Sequence, residues 1–152
     1  MPVAPIRILL GFTVGAIAIL TFHQGMWEML HLLKIPRLFM PVPYPLGRIP
    51  PFGMPHIVNL CLWGSLYGAA FGFLMPRFAL PLWVCGLILG AIAAVVEMAI
   101  VTVNAGMPIG AGWTKPIWIR ALLLNEFWGL GVGVLTPLFI SGTSGWMARR
   151  KT

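Results

Sequence analysis

One stretch of the chain indicates the fold class before any other. Residues 80–103 read LPLWVCGLILGAIAAVVEMAIVTV, an apolar run in which Glu97 is the only acidic or basic side chain. A helix needs about 20 mostly apolar residues to cross a hydrocarbon core ~30 Å thick. The run has that length, so it predicts a transmembrane helix.

Three further segments have the length and the apolar character of a membrane span. They cover residues 6–33, 55–75 and 117–141, and the first of them becomes mixed after Leu20. The four spans occupy most of the chain and leave no room for a soluble domain. We therefore predict an all-α integral membrane protein with one transmembrane domain over residues 1–152.

The composition of the whole chain belongs to the same class. Hydrophobic residues make up 59% of the 152 residues and charged residues only 9%, whereas a soluble domain is about 25% charged. Ten lysines and arginines stand against three glutamates, which gives a net charge of +7. These values exclude a cytosolic enzyme, a disordered tail and a disulfide scaffold. The positive charge fits loops that face anionic lipid headgroups and does not indicate nucleic acid.

A proline-rich segment, residues 35–55, separates the first two spans. Its prolines forbid helix and favour extended backbone, and its other side chains are largely apolar. We expect this segment to lie at the membrane interface or to fold over the helix ends. The prolines are Pro36, Pro41, Pro43, Pro45, Pro50, Pro51 and Pro55.

An even number of spans places both termini on one side of the membrane. The ten lysines and arginines divide equally between the two sides, so the bias toward cytoplasmic loops does not assign the orientation. The cluster Arg149-Arg150-Lys151 directly after the last span favours cytoplasmic termini. We expect a multi-pass protein of the bacterial inner membrane with both termini in the cytoplasm.

Two pairs of similar segments indicate an internal duplication. Residues 11–18, GFTVGAIA, match residues 86–93, GLILGAIA, and residues 59–68 share Asn, Trp and two glycines with residues 125–133. The protein would then consist of two similar helical hairpins in tandem, both in one orientation. The alternative is a chance similarity between membrane helices.

Glycines recur four positions apart in every span, a spacing that lets helix backbones approach closely. Trp63 and Trp128 stand next to such glycines. We expect the whole set to pack between helices, within one chain or between protomers. The glycines are Gly11, Gly15, Gly64, Gly68, Gly86, Gly90, Gly129 and Gly133.

The polar side chains of the spans concentrate in the half nearest to the first and third loops. At 1.5 Å per residue, Glu97 and Glu126 lie roughly 9–14 Å below that surface, and His23 lies at a similar depth. Together with Asn59 and Asn125 they form a candidate intramembrane polar cluster. Because an ionisable residue inside a span costs about 2.5–3.5 kcal/mol, the cluster is either an interhelical hydrogen-bond network or a ligand or proton site.

A second group of polar residues, Gln24, Glu28 and His31, lies within about 60° of one face of the first helix. This interfacial stripe forms either a solvated edge or the wall of a pocket. Since polarity stops near mid-membrane, the sequence favours a pocket or interface open to one side over a pore through the bundle.

No catalytic set and no metal motif accompany these residues. The sequence contains no phosphate-binding loop, no nucleophile elbow and no pair of histidines at the spacing of a metalloprotease. Cys61 and Cys85 lie near opposite faces, too far apart for a disulfide. No cofactor is predicted, and a haem or a quinone stays an alternative for the one-sided pocket.

Three motifs in the first half of the chain carry a resemblance. They are Phe22-His23-Gln24-Gly25, Pro50-Pro51-Phe52-Gly53-Met54-Pro55, and Leu62-Trp63-Gly64 with Gly68. They resemble motifs of a group of small four-helix, multi-pass membrane proteins from proteobacteria. The resemblance implies a bacterial inner membrane and implies no activity.

These observations favour a non-catalytic accessory or structural subunit of a larger membrane assembly. Its partners would be the lipid bilayer and other membrane subunits or further copies of the chain. One alternative is a homo-oligomeric transporter or channel that moves protons through intramembrane Glu and His. Another is a binder of lipid, quinone or haem in the one-sided pocket.

Overall fold

The structure, a computed structural model, describes residues 3–49 and 53–149. Four helices dominate it. Each has the length and apolar composition needed to cross a membrane, α4 over Lys115–Ile140, which confirms the predicted number of such helices. The helices are α1 (Ala4–Leu33), α2 (His56–Arg77), α3 (Leu82–Asn104) and α4 (Lys115–Arg149).

Two of the sequence features used above lie partly outside the described residues. Residues 50–52 of the second motif belong to this group. So do Arg150 and Lys151 of the basic cluster that favours cytoplasmic termini. The resemblance and the orientation therefore stay predictions.

The helices pack as two antiparallel pairs. α1 lies along α2 and α3 lies along α4, while contacts between α1 and α4 hold the pairs together. The core contains Val14, Phe71, Trp128 and Val132. Trp128 is only 2% exposed, and its indole N–H donates to the carbonyl oxygen of Gly15 at 3.1 Å. This hydrogen bond links the two pairs through the middle of the bundle.

Glycines make the closest backbone contacts within the first pair. A Cβ atom on Gly11 would collide with the carbonyl oxygen of Gly68, and a Cβ atom on Gly15 would collide with that of Gly64. The absence of side chains at these positions lets α1 and α2 approach until their backbones touch.

The second pair uses its glycines in the same way. A Cβ atom on Gly86 would collide with the carbonyl oxygen of Gly129, and one on Gly129 with that of Gly86. Gly90 and Gly133 face the backbones of α4 and α3, respectively. All eight glycines of the predicted set therefore face a neighbouring helix of the same chain.

Trp63 departs from the expectation that it packs between helices. Its side chain is 53% exposed. Trp63 directly precedes Gly64 on α2, and successive helical residues are turned by about 100°. It therefore points away from the face that meets α1 and lies on the outer surface of this chain.

Two helices contain a π-helical turn, which interrupts the regular hydrogen-bond pattern of the α-helix. The turn in α1 spans Ile19–His23, and the turn in α3 spans Glu97–Val101. The first ends at His23 and the second begins at Glu97, so each turn positions one of the predicted polar residues. Single turns of this kind are frequent at functional sites.

α1 extends well beyond the start of α2. Gly15 lies opposite Gly64. His23 follows Gly15 by eight residues, and His56 precedes Gly64 by eight residues. His23 is therefore level with the first residue of α2. The part of α1 beyond it, Gln24–Leu33, adds about 15 Å. α1 ends at Leu33, which is the helix end from which the depth of His23 is counted in the sequence.

The proline-rich segment folds back over the helix ends. Its strands β1 (Arg48–Ile49) and β2 (Met54–Pro55) form a short antiparallel pair. The carbonyl oxygen of Gly47 accepts the His56 N–H, and that of Pro45 accepts the Ile57 N–H, each at 2.9 Å. These bonds satisfy amides that the start of a helix leaves without an intrahelical partner.

Candidate functional site

The polar residues of α1 form a hydrogen-bonded contact with the proline-rich segment. Gln24 is completely buried. Its side-chain oxygen accepts the backbone N–H of Tyr44 at 2.7 Å, and its side-chain nitrogen lies 3.3 Å from Nδ1 of His23. A buried amide with both ends engaged fixes the segment at one place on α1.

Tyr44 is held at a second point by its own side chain. Its hydroxyl donates to the carbonyl oxygen of Leu20 at 2.9 Å. Leu20 lies in the π-helical turn of α1. The backbone of Tyr44 has a φ of 54°, a left-handed conformation that is uncommon outside glycine. One hydrogen bond from its backbone N–H and one from its hydroxyl hold this strained residue in place.

Two more side chains of α1 bond to the same segment. The indole N–H of Trp27 donates to the carbonyl oxygen of Pro41 at 2.8 Å. Nδ1 of His31 lies 2.9 Å from the carbonyl oxygen of Met40, which requires the hydrogen on Nδ1. Because proline has no backbone N–H, few amides in this segment can donate to its carbonyl oxygens. Side chains of α1 act as the donors instead.

α4 contacts the segment from the other side of the bundle. Nη1 of Arg120 lies 3.4 Å from the carbonyl oxygen of Phe39 and 4.0 Å from the sulfur of Met40. Arg120 therefore bonds to the loop. Among the described side chains it forms no ion pair with Glu97 or Glu126.

Two residues of the interfacial stripe contact the proline-rich segment. Gln24 and His31 face the proline-rich segment and bond to it. Glu28 is half-buried and has no hydrogen bond to any residue that the structure describes. Sequence reasoning missed Tyr44 and Trp27 as partners of this stripe. The available signal was an aromatic-rich, proline-rich segment directly after a polar helix end.

His23 also lies at the end of the bundle that carries the proline-rich segment. It is buried, and its ring lies 6.0 Å from that of Trp27. Trp27 also packs edge-on against His56, at 6.3 Å. Two histidines from different helices therefore share one indole ring. Trp27 itself is buried.

Glu97 and Asn125 form the second polar contact, between α3 and α4. Nδ2 of Asn125 donates to Oε2 of Glu97 at 2.7 Å and also lies 2.9 Å from the carbonyl oxygen of Ala121. Glu97 begins the π-helical turn of α3. The pair is an interhelical hydrogen bond that fixes the position of α3 along α4.

Glu126 directly follows Asn125 on α4 but takes no part in this hydrogen bond. A Cβ atom on Gly90 would lie 2.9 Å from its Cα atom, so its backbone is beside α3. Its side chain is half-buried. No described residue donates a hydrogen bond to its carboxyl group.

The predicted cluster of five residues is therefore divided. Glu97 and Asn125 bond to each other, while His23 bonds to Gln24. Asn59 is half-buried on α2, and no hydrogen bond of the described residues joins it or Glu126 to the others. Within the described part of the chain, no three His, Cys, Asp or Glu side chains converge as a metal site would require.

A shallow apolar groove of about 290 Å³ runs between α1 and α4 beside the first π-helical turn. The groove opens to the outside of the bundle. Gly25 widens it, because there is open space where a side chain would stand. Its lining consists of Thr21, Phe22, Gly25, Met26 and Phe127.

The second loop on this side is also tied to a helix. The indole N–H of Trp118 donates to the carbonyl oxygen of Gly110 at 2.8 Å, and the ring of Trp113 stacks on that of Trp118 at 5.4 Å. Both loops at this end are therefore attached to the bundle by aromatic donors.

Comparison with known protein families, curated proteins and solved structures finds no match to this chain.

Proposed function

We propose that the chain is a non-catalytic accessory or structural subunit of a larger assembly in the bacterial inner membrane. The observation that carries this proposal is the use of the polar side chains. Gln24, Trp27 and His31 bond to the proline-rich segment, and Glu97 bonds to Asn125. These hydrogen bonds give the polar side chains a role in holding the architecture together.

The filled interior supports the same proposal. Val14, Phe71, Trp128 and Val132 occupy the centre of the bundle and are almost completely buried. A path for a substrate through one chain would have to cross these side chains. The contacts of the bundle with other molecules are then made on its outside.

The two loops at the end of the bundle that carries the proline-rich segment offer a surface for such contacts. Val42, Leu46, Ile109 and Trp113 are all more than half exposed there. They project from loops that hydrogen bonds hold against the helices, so the surface keeps one shape. A fixed apolar surface at the end of a membrane bundle suits a permanent subunit contact.

Purification from native membranes in a mild detergent tests the proposal. We expect another membrane protein to co-purify at a constant ratio and to separate only when a harsh detergent unfolds the complex. A homogeneous self-oligomer without any other chain contradicts the accessory role.

A second candidate function is a homo-oligomeric, proton-linked transporter or channel. The half-buried Glu126 favours it, because this carboxyl lies within a span and has no donor in the described part of its own chain. The path would have to lie between copies, since the interior of each copy is filled. Loss of pH-dependent flux on replacing Glu126 by glutamine in proteoliposomes would support this candidate, and unchanged flux would reject it.

We also propose that the two helix pairs descend from one duplicated hairpin. Both pairs meet through glycines spaced four apart, and in both a π-helical turn follows the glycine motif of the first helix. Gly11 contacts the carbonyl of Gly68, whereas Gly86, which aligns with Gly11, contacts the carbonyl of Gly129. In the sequence, Gly129 aligns with Gly64 and not with Gly68. The second pair is therefore shifted by one helical turn relative to the first.

A further inference from the structure

Glu126 occupies an unusual position for a carboxyl group. It follows the first residue of α4, Lys115, by about 16 Å along the helix axis, and its backbone touches α3 at Gly90. Gly90 lies well inside α3, so this position is deep in the span from either end. The side chain is half-buried, so part of its surface is accessible from outside the bundle.

The other two glutamates have different surroundings. Glu97 receives a hydrogen bond from Asn125. Glu28 lies on the part of α1 that extends beyond the start of α2. Glu126 alone combines depth in a span with the lack of a donor among the described side chains. An ionisable residue in such a place is expensive and pairs with another polar group.

A second copy of the chain does not supply a basic side chain at this depth. Copies that lie parallel in one membrane present equivalent residues at equal depth. The nearest basic residue on α4 is Arg120, about 9 Å closer to the loops, and it already bonds to Phe39. His56 stands at the first residue of α2, near the same end. At its own depth Glu126 would meet another Glu126, and two like charges repel.

We propose that Glu126 binds a transmembrane helix of a partner protein that carries a lysine or an arginine at the same depth. The docking surface is the outward side of α4 around Glu126, where Leu122, one helical turn away, is exposed. A basic side chain on the partner neutralises the carboxyl and supplies the missing donor, and a charged pair of this kind is strong where water is excluded. The inference rests on the proposed role as a subunit and names the chemistry of its partner.

A synthetic helix serves as the probe. It consists of leucine and alanine, spans the bilayer, and carries a single lysine at its centre. Its matched control has leucine at that position. Energy transfer between labelled probe and labelled full-length protein in phosphatidylcholine vesicles measures binding. We expect the lysine helix to bind the protein about tenfold more tightly than the leucine helix.

Three variants make the test specific. Glu126→Gln is expected to remove most of the preference for lysine, and Glu126→Lys is expected to prefer a helix with a central glutamate instead. Glu28→Gln is the matched control, because it removes an unpaired carboxyl outside the docking surface and should keep the preference. Circular dichroism in the same vesicles shows whether each variant is folded.

Equal binding of the two synthetic helices to the wild-type protein would overturn the inference. So would an unchanged preference in a folded Glu126→Gln variant, or a Glu126-dependent self-association without any binding of the lysine helix. The proposed subunit role fails separately, when purification from native membranes yields only copies of this chain. If the native assembly survives Glu126→Gln intact, the docking surface is wrong and the subunit role stands.

Discussion

Gln24 is the residue on which the loop above the bundle depends most directly. It is buried, its oxygen accepts from Tyr44, and its nitrogen lies near His23. Replacing Gln24 by leucine keeps a similar volume but leaves the Tyr44 N–H without its acceptor. A buried donor without a partner costs about 1–3 kcal/mol. We expect this loss in the free energy of unfolding, together with faster hydrogen exchange at the Tyr44 amide.

Thr21→Val is the control for that experiment. The Thr21 hydroxyl is exposed and bonds to the carbonyl oxygen of Ile17 within its own helix, so its removal leaves the loop untouched. The Gln24 interpretation is wrong if both variants change exchange at Tyr44 equally, because the effect would then come from a general loosening of α1.

The hydrogen bond between Glu97 and Asn125 should be measurable as a coupling. Such bonds in membrane proteins contribute about 0.6 kcal/mol on average and up to about 1.7 kcal/mol. We expect a double-mutant cycle of Glu97→Ala and Asn125→Ala to show an interaction energy in this range, by unfolding in denaturing detergent. Strictly additive effects of the two substitutions would mean that the two side chains are not coupled.

At the scale of the elements, the glycines decide how closely the helices approach. A methyl group at Gly68 would collide with the carbonyl oxygen of Gly11 on α1. Since both atoms belong to helix backbones, neither can move away without separating the helices. We expect Gly68→Ala to destabilise the bundle by about 1–3 kcal/mol, as measured by unfolding in denaturing detergent.

Gly25→Ala is the matched substitution on the same bundle. Gly25 also lies in a helix, but a Cβ atom there meets open space. Alanine favours helix over glycine by about 0.5–1 kcal/mol, so this variant should be as stable as the wild type or more so. Equal destabilisation by both substitutions would show that helix contact is not the reason.

The helix pairs illustrate what a sequence can and cannot predict. Apolar runs and glycines four residues apart are local patterns, and they correctly predict the four helices and the faces on which glycines meet a neighbour. The π-helical turns at Ile19–His23 and Glu97–Val101 have no such pattern. They arise where the hydrogen-bond register of one helix adjusts to its contacts, which depend on the other helices.

The candidate site was predictable in part for the same reason. The sequence marks Gln24, Glu97 and Asn125 because polar residues stand out within apolar spans. It does not mark their partners, since Tyr44 and Pro41 lie in a segment whose path over the bundle is not written in any periodic pattern. Nor does it indicate that α1 continues about 15 Å beyond the start of α2.

At the scale of the whole molecule, the helix order separates the two ends of the bundle. α1 and α2 run in opposite directions, as do α3 and α4, so the proline-rich segment lies at the end opposite to the turn between α2 and α3. If the basic residues after α4 hold the termini in the cytoplasm, the proline-rich segment faces the periplasm. Val42 is 68% exposed in that segment, and Ala79 is exposed in the opposite turn.

Cysteine labelling tests this orientation. Cys61 and Cys85 are free thiols, so both are first replaced by alanine, and a single cysteine is then placed at Val42 or at Ala79. We expect a membrane-impermeant maleimide to label Val42→Cys in intact spheroplasts and to label Ala79→Cys only after the membrane is opened. The reverse result puts the termini outside. Labelling of both positions from one side would contradict the transmembrane course of α2 itself, because that helix connects the two labelled ends.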